Sequence, residues 1–426
     1  MKQVARAFRS FFTGIGYLLW DIYMFLEFIL VIAPIEFFMR LWYRLNPAVY
    51  IRSQRIKAVH EGGRTKADDV FYIFALYTKT ALPTFTKNFI NAVNRAGHNL
   101  VIVSHANLSD SLRKDMLADC HLLIERKGLG RDFGAYKDGV HTLLEKYPDA
   151  QRIVFSNDSC FFMEHALDKL IGDLNGRQDF IGVTEVFQFH YHVQSFLISF
   201  GRNAIVSPAF AKFWRKYKPI TTRRWAIHQG ELELTRQMTN AGFRPHILYQ
   251  AAELANRLRE CTVRQAMESV RLMPIAFREP LFDTFSDYTE GRAEPSTLQA
   301  VSFGIERTVA HTPGLASRGD PLSTINEVSN TLKGWSAGIF MNELIKIIAD
   351  SNQMHAAGFL FIKHLGMPMF KRDIFYRGIY TLEDVYEFLT NLGEPMRDEI
   401  MSDLRRAGSG ELNKGLWKIM YRHGSI

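Results

Sequence analysis

Between Asp69 and Asp158 the chain alternates short apolar runs with stretches whose apolar residues recur every three or four positions. VFYIFALY (70–77), NLVIVS (99–104), CHLLIE (120–125) and RIVFSND (152–158) read as strands. LPTFTKNFINAVNRAG (82–97), DSLRKDMLAD (110–119) and GAYKDGVHTLLEKY (134–147) read as the helices between them. Such alternation predicts an α/β fold: a nucleotide-binding type of half-sheet with crossover helices, its ligands at the carboxyl ends of the strands. Beyond it come DFIGVTEVF, the aromatic QFHYHVQSFLISFG (188–201) and a helical PAFAKFWRKY, and then a span without clear period. Helical texture returns at FMNELIKIIAD and LEDVYEFLTNLG. The expected organisation is an apolar helical segment over 1–60 and an α/β core over 69–265. An irregular connection over 266–335 and a helical region over 336–426 that completes or covers the site would follow.

The first segment breaks the soluble pattern. Phe11 to Leu45 is almost wholly apolar and aromatic, and at 100° per residue Asp21, Glu27 and Glu36 fall on three different faces. The run is long enough to reach across a bilayer, yet a span would carry Glu27 near its middle at a cost of roughly 2.5–3.5 kcal/mol. Lys2, Arg6 and Arg9 precede it, Arg40, Arg44, Arg52 and Arg55 follow it, and Pro34 interrupts it. Basic flanks on both sides fit a re-entrant or interfacial hairpin better than one crossing. The run is too long for a signal peptide and no small-residue cleavage site follows. A buried helix pair within a soluble protein is the alternative.

Composition narrows the partners. A formal charge of +8 and a pI near 9.2 suit an anionic neighbour: nucleic acid, anionic lipid or a nucleotide-bearing substrate. The charge is spread thinly and no nucleic-acid-binding module is recognisable, which disfavours the first. Cys120, Cys160 and Cys261 are too few and scattered for a disulfide framework, so a reducing, cytoplasmic setting is expected.

Two turns carry the candidate chemistry. GLGRDFGAYKDG (128–139) fails the dinucleotide fingerprint, since Phe133 stands where the third glycine belongs, and no Gly-Lys-Ser/Thr closes it as a phosphate loop. It leaves a turn from which Arg131 would meet a phosphate and Asp132 a hydroxyl, or one in which the glycines only shape the chain and Asp132 caps the helix. One strand later Asn157, Asp158 and Ser159 follow four apolar positions, and a carboxylate there suits Mg or Mn on a diphosphate. Glu231 and Glu233 offer a base for deprotonating an acceptor hydroxyl, or a helix-start acid with no catalytic task. His190, His192 and Gln194 alternate, so a strand would turn all three to one face, toward sugar hydroxyls. TTRRW (221–225) lacks the Gln of the Gln-x-x-Arg-Trp motif and is read as coincidence, and Lys371 and Arg372 as a solvated basic face.

Taken in order, GLGRDFGAYKDG, FSNDSCFF, FHYHVQSFLISFG, GELELT, NQMH and GMPMFKRDIFYRG resemble the rhamnan synthesis protein F family over roughly residues 70 to 380. The resemblance implies a GT-A-like glycosyltransferase moving a sugar from a nucleotide-sugar donor to a growing, lipid-linked surface glycan. It implies a donor pocket lined by Tyr77, Ser104, Arg131, Asp132 and Asn157, with Asp158 holding a divalent cation and Glu231 as base; Asp132 is counted with the catalytic residues, and the acid motif has one carboxylate where Asp-x-Asp has two. It also implies donor phosphates near Lys371, action at the cytoplasmic face of a bacterial inner membrane reached through the N-terminal segment, and no nucleic acid. A non-catalytic, membrane-anchored scaffold of a polysaccharide assembly is the alternative.

Overall fold

The computed structural model describes residues 22–79, 81–187, 190–261, 263–278, 344–349, 351–376, 379–390 and 394–407, together with Leu19 and Ile419. Asp21 and most of the expected irregular connection lie outside them.

Twelve strands are described: β1 (Ile56–Glu61), β2 (Val70–Leu76), β3 (Asn99–Ser104), β4 (Leu122–Arg126), β5 (Arg152–Asn157), β6 (Cys160–Phe162), β7 (Phe180–Gly182), β8 (Glu185–Val186), β9 (His192–Val193), β10 (Leu197–Gly201), β11 (His246–Ile247) and β12 (Met369–Lys371). Eight form one sheet in the order β1-β4-β3-β2-β5-β10-β7-β11. β4, β3, β2 and β5 run parallel, while β1 joins β4, and β10 joins β5 and β7, antiparallel. The parallel centre matches the four expected strands, each within two residues at either end. These strands are buried on both faces, as the continuous apolar runs required.

The helices used below are α1 (Ile22–Leu45), α2 (Thr84–Arg95), α3 (Asp110–Asp119), α4 (Arg131–Lys146), α5 (Leu167–Leu174), α6 (Pro208–Lys216), α7 (Glu233–Asn240), α8 (Ala251–Arg259), α9 (Val263–Val270), α10 (Gln353–Leu365), α11 (Leu382–Thr390) and α12 (Glu394–Ala407). Their ends follow local chemistry. Ser109 accepts from the Leu112 N–H at 3.2 Å to start α3, and Asn352 accepts from the His355 N–H at 3.4 Å to start α10. α2 turns Phe89, Ile90 and Val93 onto one sheet face, while α4 turns Phe133, Tyr136 and Leu143 onto the other. Burying each such side chain contributes roughly 1.5–3 kcal/mol.

A third apolar cluster joins Phe85 and Phe161 to Phe370, Phe375, Leu389, Ile400 and Leu404, which packs the C-terminal helices against the start of α2. Through it, β12 pairs with β6 and brings Lys371 opposite Cys160, immediately beyond the end of β5. From β2 the chain steps to β3 on one side, and from β4 it crosses to β5 on the other side of β2. The strand order reverses between β2 and β5, which opens a crevice at their carboxyl ends.

Candidate active site at the strand switch point

Local sequence decides what reaches this crevice. At the end of β5, Asn157 is buried and Asp158 and Ser159 are half-buried. Asn157 Oδ1 accepts from the Ser159 N–H at 3.1 Å, and its Nδ2 donates to Asp132 Oδ2 at 2.9 Å. Asp158 Oδ2 accepts from the Tyr77 N–H at 2.9 Å, which ties the ends of β5 and β2 together. Burial pushes the Asp158 carboxyl up to about 6, against the opposing pull of the Tyr77 N–H and the Arg372 charge.

The Gly-rich turn meets it from the next strand. Gly130 caps α4 in a left-handed conformation (φ 77°), and Arg131 follows with φ 52°, a strained value for a residue with a side chain. Helix α4 therefore begins three residues before the expected start, with Asp132 in its first turn, near the positive end of the helix dipole. Burial raises the Asp132 carboxyl, Arg131 and Lys371 lower it, and Glu231 raises it further. These three side chains thus share the electrostatic field of Asp132.

Lys371 and Arg372 do not form a solvated face. Lys371 Nζ donates to Ser159 Oγ at 3.4 Å, and Arg372 Nη1 donates to the Asp158 carbonyl at 3.1 Å. Both side chains also lie over aromatic rings, Lys371 on Phe196 at 4.6 Å and Arg372 on Phe85 at 4.9 Å. More than two hundred residues separate them from the turn they serve, so no local pattern tied them to it.

Of the other expected site residues, Tyr77 stands at the mouth of the crevice, 40% exposed, its ring stacked on His105 at 4.2 Å. Ser104 is fully buried at the end of β3, where its Oγ accepts from the Ala106 N–H. Glu231 Oε2 accepts from the Ser195 N–H at 2.8 Å and sits in a π-helical stretch, Ala226–Leu232. Such wide turns are frequent at functional sites. His190, His192 and Gln194 do not form one face: the strand covers only His192 and Val193, and His190 is exposed outside it. Gln194 is buried, accepting from Thr184 Oγ1 and donating to the Asn352 cap of α10.

Several supports had no counterpart in the sequence reading. Buried Asp138 holds two guanidinium groups, Arg55 at 2.6 Å and Arg126 at 2.8 Å. Arg126 then donates to His105 Nδ1 at 3.0 Å, beneath the Tyr77 ring. Thr221 Oγ1 accepts from the Gly130 N–H at 2.8 Å, and Thr222 caps the next helical turn, so the TTRRW segment braces the Gly-rich turn. The chemical types are ordinary, but their partners lie far away in sequence.

A divalent cation finds little here. Asp158 supplies one carboxylate, already engaged by an N–H, and no group of three or more His, Cys, Asp or Glu among the described residues is arranged to hold a metal ion. With Lys371 and Arg372 alongside, this donor set does not fit a protein-held cation.

The crevice thus gathers Asp158 after β5, Arg131 and Asp132 at the start of α4, and Lys371 and Arg372 at the end of β12. Residues 100–307 match the rhamnan synthesis protein F family. The rhamnan synthesis protein F match takes in the Gly-rich turn, Asn157-Asp158-Ser159 and Glu231, while Tyr77, Lys371 and Arg372 lie outside it. An uncharacterized protein of Sinorhizobium fredii is 30% identical over 173 residues, 39% of this chain and 45% of that protein. Virulence protein VirA of Vibrio anguillarum is 30% identical over 147 residues, 34% of this chain and 47% of VirA. The chain spans about half the length of the curated relatives it matches. Among solved structures, a glycosyltransferase involved in glycosylation of the major capsid of PBCV-1 is 12% identical, covering 42% of this chain and 83% of its own, with a TM-score of 0.27. A197 from STIV is likewise 12% identical, covering 35% and 79%, with a TM-score of 0.21. Neither overlap is close enough to carry an argument.

Proposed function

We propose that this protein is a GT-A-like glycosyltransferase that moves a sugar from a nucleotide-sugar donor to a growing bacterial surface polysaccharide, its acceptor carried on lipid at the cytoplasmic face of the inner membrane. The observation that carries the reading is the meeting of Arg131-Asp132, Asn157-Asp158-Ser159 and Lys371-Arg372 at the switch point of the half-sheet, in a chain whose residues 100–307 match the rhamnan synthesis protein F family.

In this reading the diphosphate of the donor lies against Arg131, Lys371 and Arg372, which neutralise the charge that grows as it leaves. Asp132 and Asp158 accept from donor hydroxyls, and the Tyr77 ring flanks the nucleoside. The acceptor oxygen bonds to the anomeric carbon as the bond from that carbon to the phosphate oxygen breaks. The nucleoside diphosphate departs with the bonding pair, and the acceptor proton passes to the Glu231 carboxylate.

Calorimetry with a panel of nucleoside diphosphates and nucleotide sugars, in EDTA and in Mn²⁺, tests this. One member of the panel binds wild type, retains affinity in EDTA, and binds at least tenfold more weakly to Asp158→Ala and to Lys371→Ala. If the folded wild type binds none, the enzyme reading fails and a non-catalytic scaffold takes its place.

A further inference from the structure

Helix α1 is turned inside out relative to a helix in water. Its acids point into the protein: Glu27 is 7% exposed and Glu36 5%. Glu36 pairs with Arg40 at 2.8 Å and with Arg224 at 3.6 Å, and Arg224 also covers the Phe28 ring at 4.7 Å. The π-helical stretch Phe28–Ile32 advances by a smaller angle per residue than an α-helix does, which rotates the second half of α1 and lets Glu27 and Glu36 both turn inward. This is the reason the two acids fall on different faces when 100° per residue is assumed throughout.

The outward face is apolar along its whole length. Leu26, Leu30, Phe37, Phe38, Trp42 and Leu45 are all at least 48% exposed. Twenty-four residues extend about 36 Å, enough to cross a bilayer. Yet Phe28, Glu36 and Arg40 bind the segment Arg224–Trp225 along a large part of that length. A helix crossing the bilayer would carry this segment, and the stretch bearing Glu231 that follows it, into hydrocarbon.

We propose that α1 does not cross the membrane but lies in the plane of one leaflet, its outward face among the acyl chains and its acid-bearing face clamped on Arg224 and Trp225, just ahead of the stretch that bears Glu231, at the lipid surface. The occupant is lipid because the face is continuous, aromatic-rich and closed at its end by Arg44, which is exposed and suits anionic headgroups. The inference deepens the membrane reading above, which it assumes: Glu231 would then be held next to the leaflet that carries a lipid-linked acceptor.

Spin labels on the full chain decide it. In a Cys261→Ser background, where Cys120 and Cys160 are buried, single cysteines replace Ile22, Leu30, Phe38 and Leu45, all exposed positions. Proteoliposomes of phosphatidylethanolamine and phosphatidylglycerol are the membrane. In-plane seating gives all four labels a similar shallow depth, roughly 5–10 Å below the headgroups. A profile with Leu30 deepest and Ile22 and Leu45 at opposite surfaces overturns the in-plane seating while leaving membrane association intact. Protein that does not float with the vesicles, whether as monomer or as a self-associated dimer, overturns both.

Discussion

The Asp158 carboxyl, held between the Tyr77 N–H and the Arg372 charge, ionises near pH 6 rather than at its ordinary 3.8, because burial disfavours the anion. Folded protein therefore keeps a proton there that unfolded protein has lost between about pH 4 and pH 6. Stability falls as pH rises through that window, by about 3 kcal/mol for a shift of about two units, and stays reduced above it. Asp158→Asn removes the titration while keeping an acceptor for Tyr77. Urea unfolding at pH 7.5 is expected to show the variant up to about 3 kcal/mol more stable than wild type, with the difference vanishing at pH 4; equal stability at both pH values refutes the buried charge. A residue that costs stability in its ionised form fits a site kept for binding. Asn157 and Asp158 were legible because polar residues closing an apolar strand are a local signal, and Asp132 because it sits in a Gly-rich polar turn between a strand and a helix. Lys371 and Arg372 were pointed to only by the family resemblance, because a basic dipeptide at the end of a short strand looks like any solvated surface until its pairing with β6 is known.

The turn opening α4 divides its glycines by task. A methyl group at Gly130 would land on Pro219 and would also require the left-handed backbone, whereas at Gly128 it would meet nothing nearer than the His105 carbonyl at 3.9 Å. Gly130→Ala is expected to cost about 3 kcal/mol, since strain of this kind is worth 1–3 kcal/mol before any collision, while Gly128→Ala stays within about 0.5 kcal/mol. Thermal or chemical denaturation of the pair distinguishes a shaped turn from a merely flexible one, for which both costs would be small. Asp138, in the middle of α4, answers to Arg55 and Arg126 together; Asp138→Asn leaves two buried guanidinium groups short of charge and should cost about 3–5 kcal/mol in the same measurement. A loss under 1 kcal/mol would mean that solvent reaches the network. The parallel centre of the sheet was readable at this scale because both faces are covered and the strands are unbroken apolar runs. β1 was not, since an edge strand of alternating half-buried and exposed residues, IKAVHE, carries no such run, and β7 and β11 have three and two residues.

At the scale of the whole molecule, the in-plane seating proposed for α1 would set which way the sheet's crevice faces. The apolarity of α1 was legible in the sequence, but the inward turn of its acids depended on the π-helical stretch and on Arg224, nearly two hundred residues on. Phe38 and Leu45 are 65% and 72% exposed, so a charge at either disturbs little inside the protein. Each apolar side chain removed from lipid contact costs roughly 1.5–3 kcal/mol, and the two together at least about a hundredfold in partition. Phe38→Glu/Leu45→Glu should therefore release the protein from anionic vesicles in flotation, with a melting temperature close to that of wild type. Tyr386→Glu, at a residue 54% exposed on α11, should leave flotation unchanged. Since hydrophobic insertion is insensitive to screening, wild type should float in 0.5 M salt nearly as well as in 0.1 M, whereas attachment through Lys and Arg alone would be lost there. Float fractions that follow salt and ignore Phe38 and Leu45 would place the contact on the basic surface instead of α1.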